Sequence, residues 1–281
     1  MKTLGFYNGR IDELDRITVP MLDRACYFGD GVYDVTFSRN YKIYMLEEHV
    51  ARLFQSAHRI GIEPSITETE LASLLSSLIL RLDEGEAWVY FQISRGTDYR
   101  AHAFPEQAEP NLWIMLRPAK IKDTYRPLRC ITHKDTRSLY CNIKSLNLLP
   151  NVLLTQETAV AGVDECILHR DGIVTECAHS NVSILVNKTL ITHPADEHIL
   201  AGTGRAHLIN TCRAFNIPVI ERKYTLEELK NADEIILTSA SSLCMQIVEL
   251  DGTPIGKRDE GTLRMLQDAL VRDFMEKTQP D

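Results

Sequence analysis

Glu165-Cys166-Ile167-Leu168-His169-Arg170-Asp171-Gly172-Ile173-Val174-Thr175-Glu176 is the stretch on which the fold class turns. Two apolar, partly β-branched runs, residues 165–169 and 173–176, flank Arg170-Asp171-Gly172. Asp-Gly suits a two-residue hairpin turn, whose central residues both need positive φ. The pattern repeats downstream, with runs at residues 182–186 and 189–193 across Asn187-Lys188, and Asp251-Gly252 marks a further hairpin. Hairpins join antiparallel neighbours, whereas a doubly wound parallel sheet needs a crossover helix between strands. Hairpins with only a few helices therefore point to two α+β lobes.

The helices are readable from period and caps. Residues 45–60 carry an apolar stripe of Leu46, Val50, Leu53, Phe54, Ala57 and Ile60, stopped by Gly61. Thr67 with Glu70 forms a capping box that opens a helix bearing Leu71, Leu74, Leu75, Leu78 and Leu82. Residues 205–215 and 262–275 predict two more helices, with Pro150 suited to the first turn of another. Residues 87–94, 112–116 and 234–238 predict strands. The stretch from Arg117 to Asp123 is polar, contains Pro118 and has no period. A linker at residues 119–123 is expected between a smaller domain, 1–118, and a larger one, 124–281.

Composition narrows the function. With 281 residues, 44% hydrophobic and 25% charged, the chain is long enough for two ordinary globular domains. A net charge of -8 argues against a nucleic-acid partner, which would need clustered Lys and Arg. No basic amphipathic stretch suggests a membrane surface, and no apolar run reaches spanning length. None of the seven cysteines forms Cys-x-x-Cys, so no metal site or disulfide framework is indicated. They read as buried thiols in a reducing, cytoplasmic setting, consistent with an N-terminus lacking a signal run.

Three elements carry possible chemistry. Lys144 sits among Ile143, Leu146, Leu148 and Leu149, with Glu176 following. An ammonium stripped of water gives up its proton more readily, and the free amine can attack a carbonyl. Gly29-Asp30-Gly31 and Gly202-Thr203-Gly204 begin like nucleotide loops but lack the third glycine and any Gly-Lys-Ser/Thr ending. The second precedes a helix, where it is either an ordinary cap or a set of N–H groups for a phosphate. Arg100 and His102, two apart after a strand, either share a side and hold a carboxylate or belong to a solvated loop.

Phe28-Gly29-Asp30-Gly31-Val32-Tyr33, Arg95-Gly96 with Arg100-Ala101-His102, Ile143-Lys144-Ser145-Leu146-Asn147-Leu148-Leu149 and Thr175-Glu176 together resemble the D-amino-acid transaminases. These are fold type IV pyridoxal-phosphate enzymes, alongside branched-chain aminotransferases and aminodeoxychorismate lyases. The resemblance runs in order from about residue 5 to residue 275. It implies a two-domain α+β enzyme with pyridoxal 5'-phosphate between the lobes and the lysine on the larger, C-terminal domain. It further implies a ping-pong transfer of the amino group of a D-amino acid, such as D-alanine or D-glutamate, to a 2-oxo acid.

Residue by residue, the resemblance makes Lys144 the Schiff-base lysine and acid/base, and Glu176 the partner of the pyridine nitrogen. Arg52, with N–H groups at Thr203, Gly204, Ser239 and Ala240, would hold the phosphate, and Leu200 would pack near the ring. Tyr33, Arg100 and His102 would take the substrate carboxylate, the last two reaching the partner subunit's site in a homodimer. Alternatives are a branched-chain or R-amine transaminase, or a relative that binds the cofactor without catalysis. The chain departs from the family pattern at Cys177-Ala178-His179, where relatives tend to carry small residues, and at Gly204 and Ala240, where threonine is common. His179 could therefore crowd or polarise the substrate pocket.

Overall fold

In the computed structural model, which describes residues 1–280, the first half of the chain builds an antiparallel sheet with two helices on one face. Its elements are β1 (Leu4–Tyr7), β2 (Arg10–Asp12), α1 (Arg24–Phe28), β3 (Gly31–Arg39), β4 (Lys42–Ile43), α2 (Leu46–Arg59), α3 (Glu68–Ile79), β5 (Ala87–Ser94) and β6 (Asn111–Pro118). The strand order is β2-β1-β6-β5-β3-β4. Val50, Leu53 and Ala57 of α2 and Leu71, Leu75 and Leu78 of α3 are buried with Val89, Phe91, Ile93 and Ile114 of the sheet. The capping box at Thr67 is present, and α2 begins and ends within one residue of its apolar stripe. Alternation along β3 buries Val32, Asp34 and Thr36 on one face and turns Tyr33 and Val35 to the other.

The second unit is a mixed sheet. It comprises β7 (Leu128–Lys134), α4 (Leu149–Ala161), β8 (Glu165–Arg170), β9 (Ile173–Cys177), β10 (Asn181–Val186), β11 (Thr189–Thr192), α5 (Thr203–Ala214), β12 (Val219–Glu221), α6 (Leu226–Lys230), β13 (Glu234–Thr238), β14 (Met245–Leu250) and β15 (Thr253–Pro254). The order is β12-β11-β10-β13-β14-β7-β8-β9, with β15 on β14. The three expected hairpins form, with positive φ at Asp171 and Gly172, at Asn187 and Lys188, and at Asp251 and Gly252. β7 is parallel to both β8 and β14, and β11 is parallel to β12. α4 lies in the connection from β7 to β8 and α5 in that from β11 to β12, the long returns that parallel pairing requires. A last helix, α7 (Glu260–Lys277), follows.

The division into units differs in detail from the expected domains. The main boundary falls between Ile121 and Lys122, but Ile143–Asn147 and residues 275–280 group with the first unit. The Lys144 segment does so because its backbone bonds to β3, a partner more than a hundred residues away. Arg117 and Pro118 end strand β6 rather than opening a linker. All seven cysteines are free; five are buried, while Cys26 is exposed and Cys141 half-buried. Among the described residues no helix is long and apolar enough to cross a membrane.

Candidate active site

Lys144 is fixed by its backbone. Its carbonyl accepts the Tyr33 N–H at 2.9 Å, Leu146 N–H donates to the Gly31 carbonyl at 3.0 Å, and Ser145 bridges Val32. The lysine segment therefore adds a short rung to the β3 edge that faces away from β5. Its N–H donates to Ser56 Oγ of α2 at 3.2 Å. The side chain is half-buried, with Nζ 4.4 Å from the centre of the Tyr33 ring, which stacks on Tyr90 at 5.5 Å. Gly31 allows this approach: a Cβ there would lie 2.7 Å from the Ile93 carbonyl oxygen and 2.9 Å from Leu146.

On the buried face of β3, Asp34 accepts two hydrogen bonds from Arg52, from Nε and Nη2, each at 2.8 Å. It also accepts one from His49 Nδ1 at 2.7 Å. Burial alone would raise the Asp34 pKa, but the charges and hydrogen bonds of Arg52 and His49 push it well below the usual carboxylate range. Burial lowers the pKa of His49, outweighing its carboxylate partner. With a neutral imidazole, the charges of Arg52 and Asp34 cancel. Among the described residues Nη1 of Arg52 makes no hydrogen bond, so the guanidinium is oriented but retains donors for an anion.

Arg100 and His102 lie in an exposed bend rather than an extended strand, yet both meet one ring. The Arg100 guanidinium carbon sits 4.9 Å from the Phe28 centroid, and the His102 ring centre 5.2 Å from it. The bend is tethered by Arg24, which donates to the Ala101 carbonyl at 2.7 Å and to Asp30 at 2.7 Å. Arg95 also holds Asp30, and it donates to the Ile60 and Gly61 carbonyls at the end of α2. Burial would raise the Asp30 pKa, but the two guanidinium groups prevail and lower it.

In the second unit Glu176 is buried near the end of β9. Its Oε1 accepts from Arg137 Nη1 at 2.5 Å; its Oε2 accepts from Asn181 Nδ2 at 2.9 Å and from the Leu200 N–H at 3.1 Å. Arg137 is gripped in turn by Asp135, which also accepts from Arg170 and Thr175. Burial opposes the charge on Arg137, but the hydrogen bonds and charges of Asp135 and Glu176 hold it firmly cationic. His179 is half-exposed, its Nδ1 3.1 Å from Glu165, which also accepts from Ser180.

The start of α5 suits an anion. Gly202 offers no side-chain cap and the first turn has no acid, so the helix N–H groups there favour negative charge. A Cβ on Gly204 would lie 3.3 Å from the Ser239 backbone, so glycine keeps this cradle open, with Ala240 beside it. Taken unit by unit, the first offers an oriented guanidinium at Arg52 and a half-buried amine at Lys144. The second offers a buried carboxylate at Glu176 and helix N–H groups at α5. These are group types that a phosphorylated pyridine aldehyde uses. Asp34, His49, Ser56, Asp135, Arg137 and Asn181 escaped the sequence reading. The His49–Arg52 spacing on one helix face was a legible signal; Arg137, 39 residues from Glu176, left none.

The class IV amino-transferase family model matches residues 31–250. The chain is 36% identical over 281 residues to D-alanine aminotransferase of Bacillus licheniformis, covering 99% of each. It is 36% identical over 267 residues to that of Listeria monocytogenes, covering 92% of each. In structure it is similar to a branched-chain aminotransferase of Thermoproteus uzoniensis, with TM-score 0.89 and 20% identity over 98% of this chain and 96% of that one. It is also similar to a fold IV transaminase of Curtobacterium pusillum, with TM-score 0.80 and 22% identity over 93% of each. At such identities the structural likeness speaks for the fold alone.

Proposed function

The chain belongs to the class IV aminotransferases, and from that premise we propose that it moves the amino group of a D-amino acid, such as D-alanine or D-glutamate, to a 2-oxo acid. One observation carries the choice of D-amino acid: 36% identity along the whole chain to D-alanine aminotransferase, against 20% to a branched-chain enzyme of the same fold.

In this proposal the cofactor is pyridoxal 5'-phosphate, which when bound supplies an aldehyde for amines and a protonated ring that accepts the electrons released at Cα. Lys144 is the covalent anchor. Once displaced by a substrate amine, its Nζ would be placed to take the proton from substrate Cα and return it on the cofactor side, one base serving both positions. Glu176 would present its carboxylate to the pyridine nitrogen and favour a proton there. Arg137, Asn181 and the Leu200 N–H hold that carboxylate in one orientation. Arg52, its Nε and Nη2 already committed to Asp34, uses its remaining donors on the phosphate, with the N–H groups at Thr203, Gly204, Ser239 and Ala240. Leu200 packs near the ring. Tyr33, Arg100 and His102 bind the substrate carboxylate.

The same proposal makes the protein a homodimer in which Arg100 and His102 serve the partner's site. An unpartnered apolar face on α4 supports the dimer: Leu149, Val152, Leu153 and Val160 are each more than half exposed. A cytoplasmic location suits the seven free thiols. Steady-state transamination to 2-oxoglutarate tests the substrate class. D-Alanine is expected to be used and L-leucine not, and Arg100→Ala to lose D-alanine turnover. Preference for L-leucine would move the chain to the branched-chain branch.

A further inference from the structure

His193, Asp196 and His198 lie on the loop after β11, with one ligand atom of each within 4.8 Å of the others. His193 is almost fully buried, and its Nδ1 faces the Val174 carbonyl at 2.8 Å. A carbonyl only accepts, so Nδ1 carries the proton. In the neutral tautomer with its proton on Nδ1, Nε2 carries a lone pair that can ligate a metal. That lone pair faces the Asp196 carboxylate, 3.2 Å from Oδ1 and 3.3 Å from Oδ2. In that tautomer two acceptors face each other at this distance, and a cation between them relieves the repulsion. His198 adds a third donor atom: its Nδ1 is buried, makes no hydrogen bond, and lies 3.3 Å from Asp196 Oδ1.

The geometry points to a divalent transition-metal site formed by His193 Nε2, Asp196 and His198 Nδ1. With metal–ligand bonds of about 2.0–2.1 Å, neighbouring atoms of a tetrahedral zinc shell are about 3.3 Å apart, and the two measured edges match that spacing. An imidazole whose far nitrogen donates to a backbone carbonyl is the usual outer support of a metal-bound histidine. Two imidazoles and one carboxylate suit Zn²⁺, Co²⁺ or Ni²⁺ rather than Mg²⁺ or Ca²⁺. Asp196 and His198 are about one-fifth exposed, so an ion can enter and keep water in its open position. Lys223 Nζ lies 3.6 Å from Asp196 Oδ2 and competes for that carboxylate, while Glu197 Oε1, 3.7 Å from His198 Nδ1, adds negative charge. A bound ion would brace the loop from which the His198 carbonyl accepts from Arg137 and the Leu200 N–H reaches Glu176. The site stands independently of the substrate assigned above.

Chelator-washed holoenzyme, with the exposed Cys26 changed to serine in every sample, should be dialysed against Zn²⁺ and its bound metal counted. One equivalent per chain is expected. His198→Ala and Asp196→Ala should each weaken binding at least about tenfold, and Lys223→Ala should tighten it. Zn²⁺ should raise the thermal midpoint of the parent and leave His198→Ala unmoved, which separates lost metal from lost folding. No bound zinc in the parent, or equal affinity in parent and His198→Ala, would overturn the site.

Discussion

Lys144 and Glu176 are held by opposite means. Lys144 owes its position to backbone: Tyr33 N–H, the Gly31 carbonyl and Ser56 fix the chain around it, and its own side chain contributes little to the hold. Glu176 owes its position to side-chain charge, in a buried network of Arg137, Asp135, Arg170 and Asn181. A group that must detach and move protons gains from a rigid backbone and a free side chain. A carboxylate that must stay aimed at one atom gains from being gripped at both oxygens.

The sharpest consequence concerns Lys144→Ala. Turnover should fall by at least about a thousandfold, while the unfolding free energy changes by less than about 1 kcal/mol, the worth of an ammonium over a ring. Near-normal turnover would defeat the assignment, and a large stability loss would erase the contrast. Asp135→Ala should behave the other way. It strands Arg137 and Arg170, both largely buried, and should cost about 3–5 kcal/mol in denaturant unfolding. Gly31→Ala attacks the backbone side: its Cβ would meet Ile93 and Leu146, costing about 1–3 kcal/mol and lowering kcat by moving the lysine rung. An unchanged kcat would show that the rung does not place Lys144.

Acidification loads both regions. His49 and His193 have folded pKa values below the ordinary 6.5, so the unfolded chain binds protons first and stability declines as pH falls through that value. Asp34, Asp30 and Asp135 have folded values below the ordinary 3.8, so their stabilisation, complete above it, is lost as pH falls further. Chemical unfolding from pH 8 to 3 should show two declining limbs; a flat profile would contradict the ionic account. The smallest effects concern the caps. Thr67→Ala and Thr225→Ala each remove a capping box, one in each unit, for about 1 kcal/mol. Trp88 and Trp113 both lie in the first unit, so fluorescence should register the first change and circular dichroism both. Equal fluorescence shifts would mean that the two regions unfold as one.

Local chemistry explains what was legible. The Asp-Gly and Asn-Lys turns, the Thr67 cap and the α2 stripe are written within a few residues, and the structure places them where the sequence did. What failed to show is non-local. β7 pairs in parallel with strands reached only through long returns, and the Lys144 segment joins the first unit through bonds to β3. Arg137 looks like any arginine until Glu176 is brought to it. The metal-ligating set shows a different limit: cysteine spacing gave no signal, while His193-Pro194-Ala195-Asp196-Glu197-His198 did carry one.

The decisive experiment is the visible absorption of the cofactor-loaded protein as D-alanine, and separately L-alanine, is added without an oxo acid. Loss of the cofactor's lysine-bound band with D-alanine alone, absent in Lys144→Ala, is the predicted result. Loss with L-alanine alone, or an unchanged spectrum with both, would contradict the D-amino-acid transaminase.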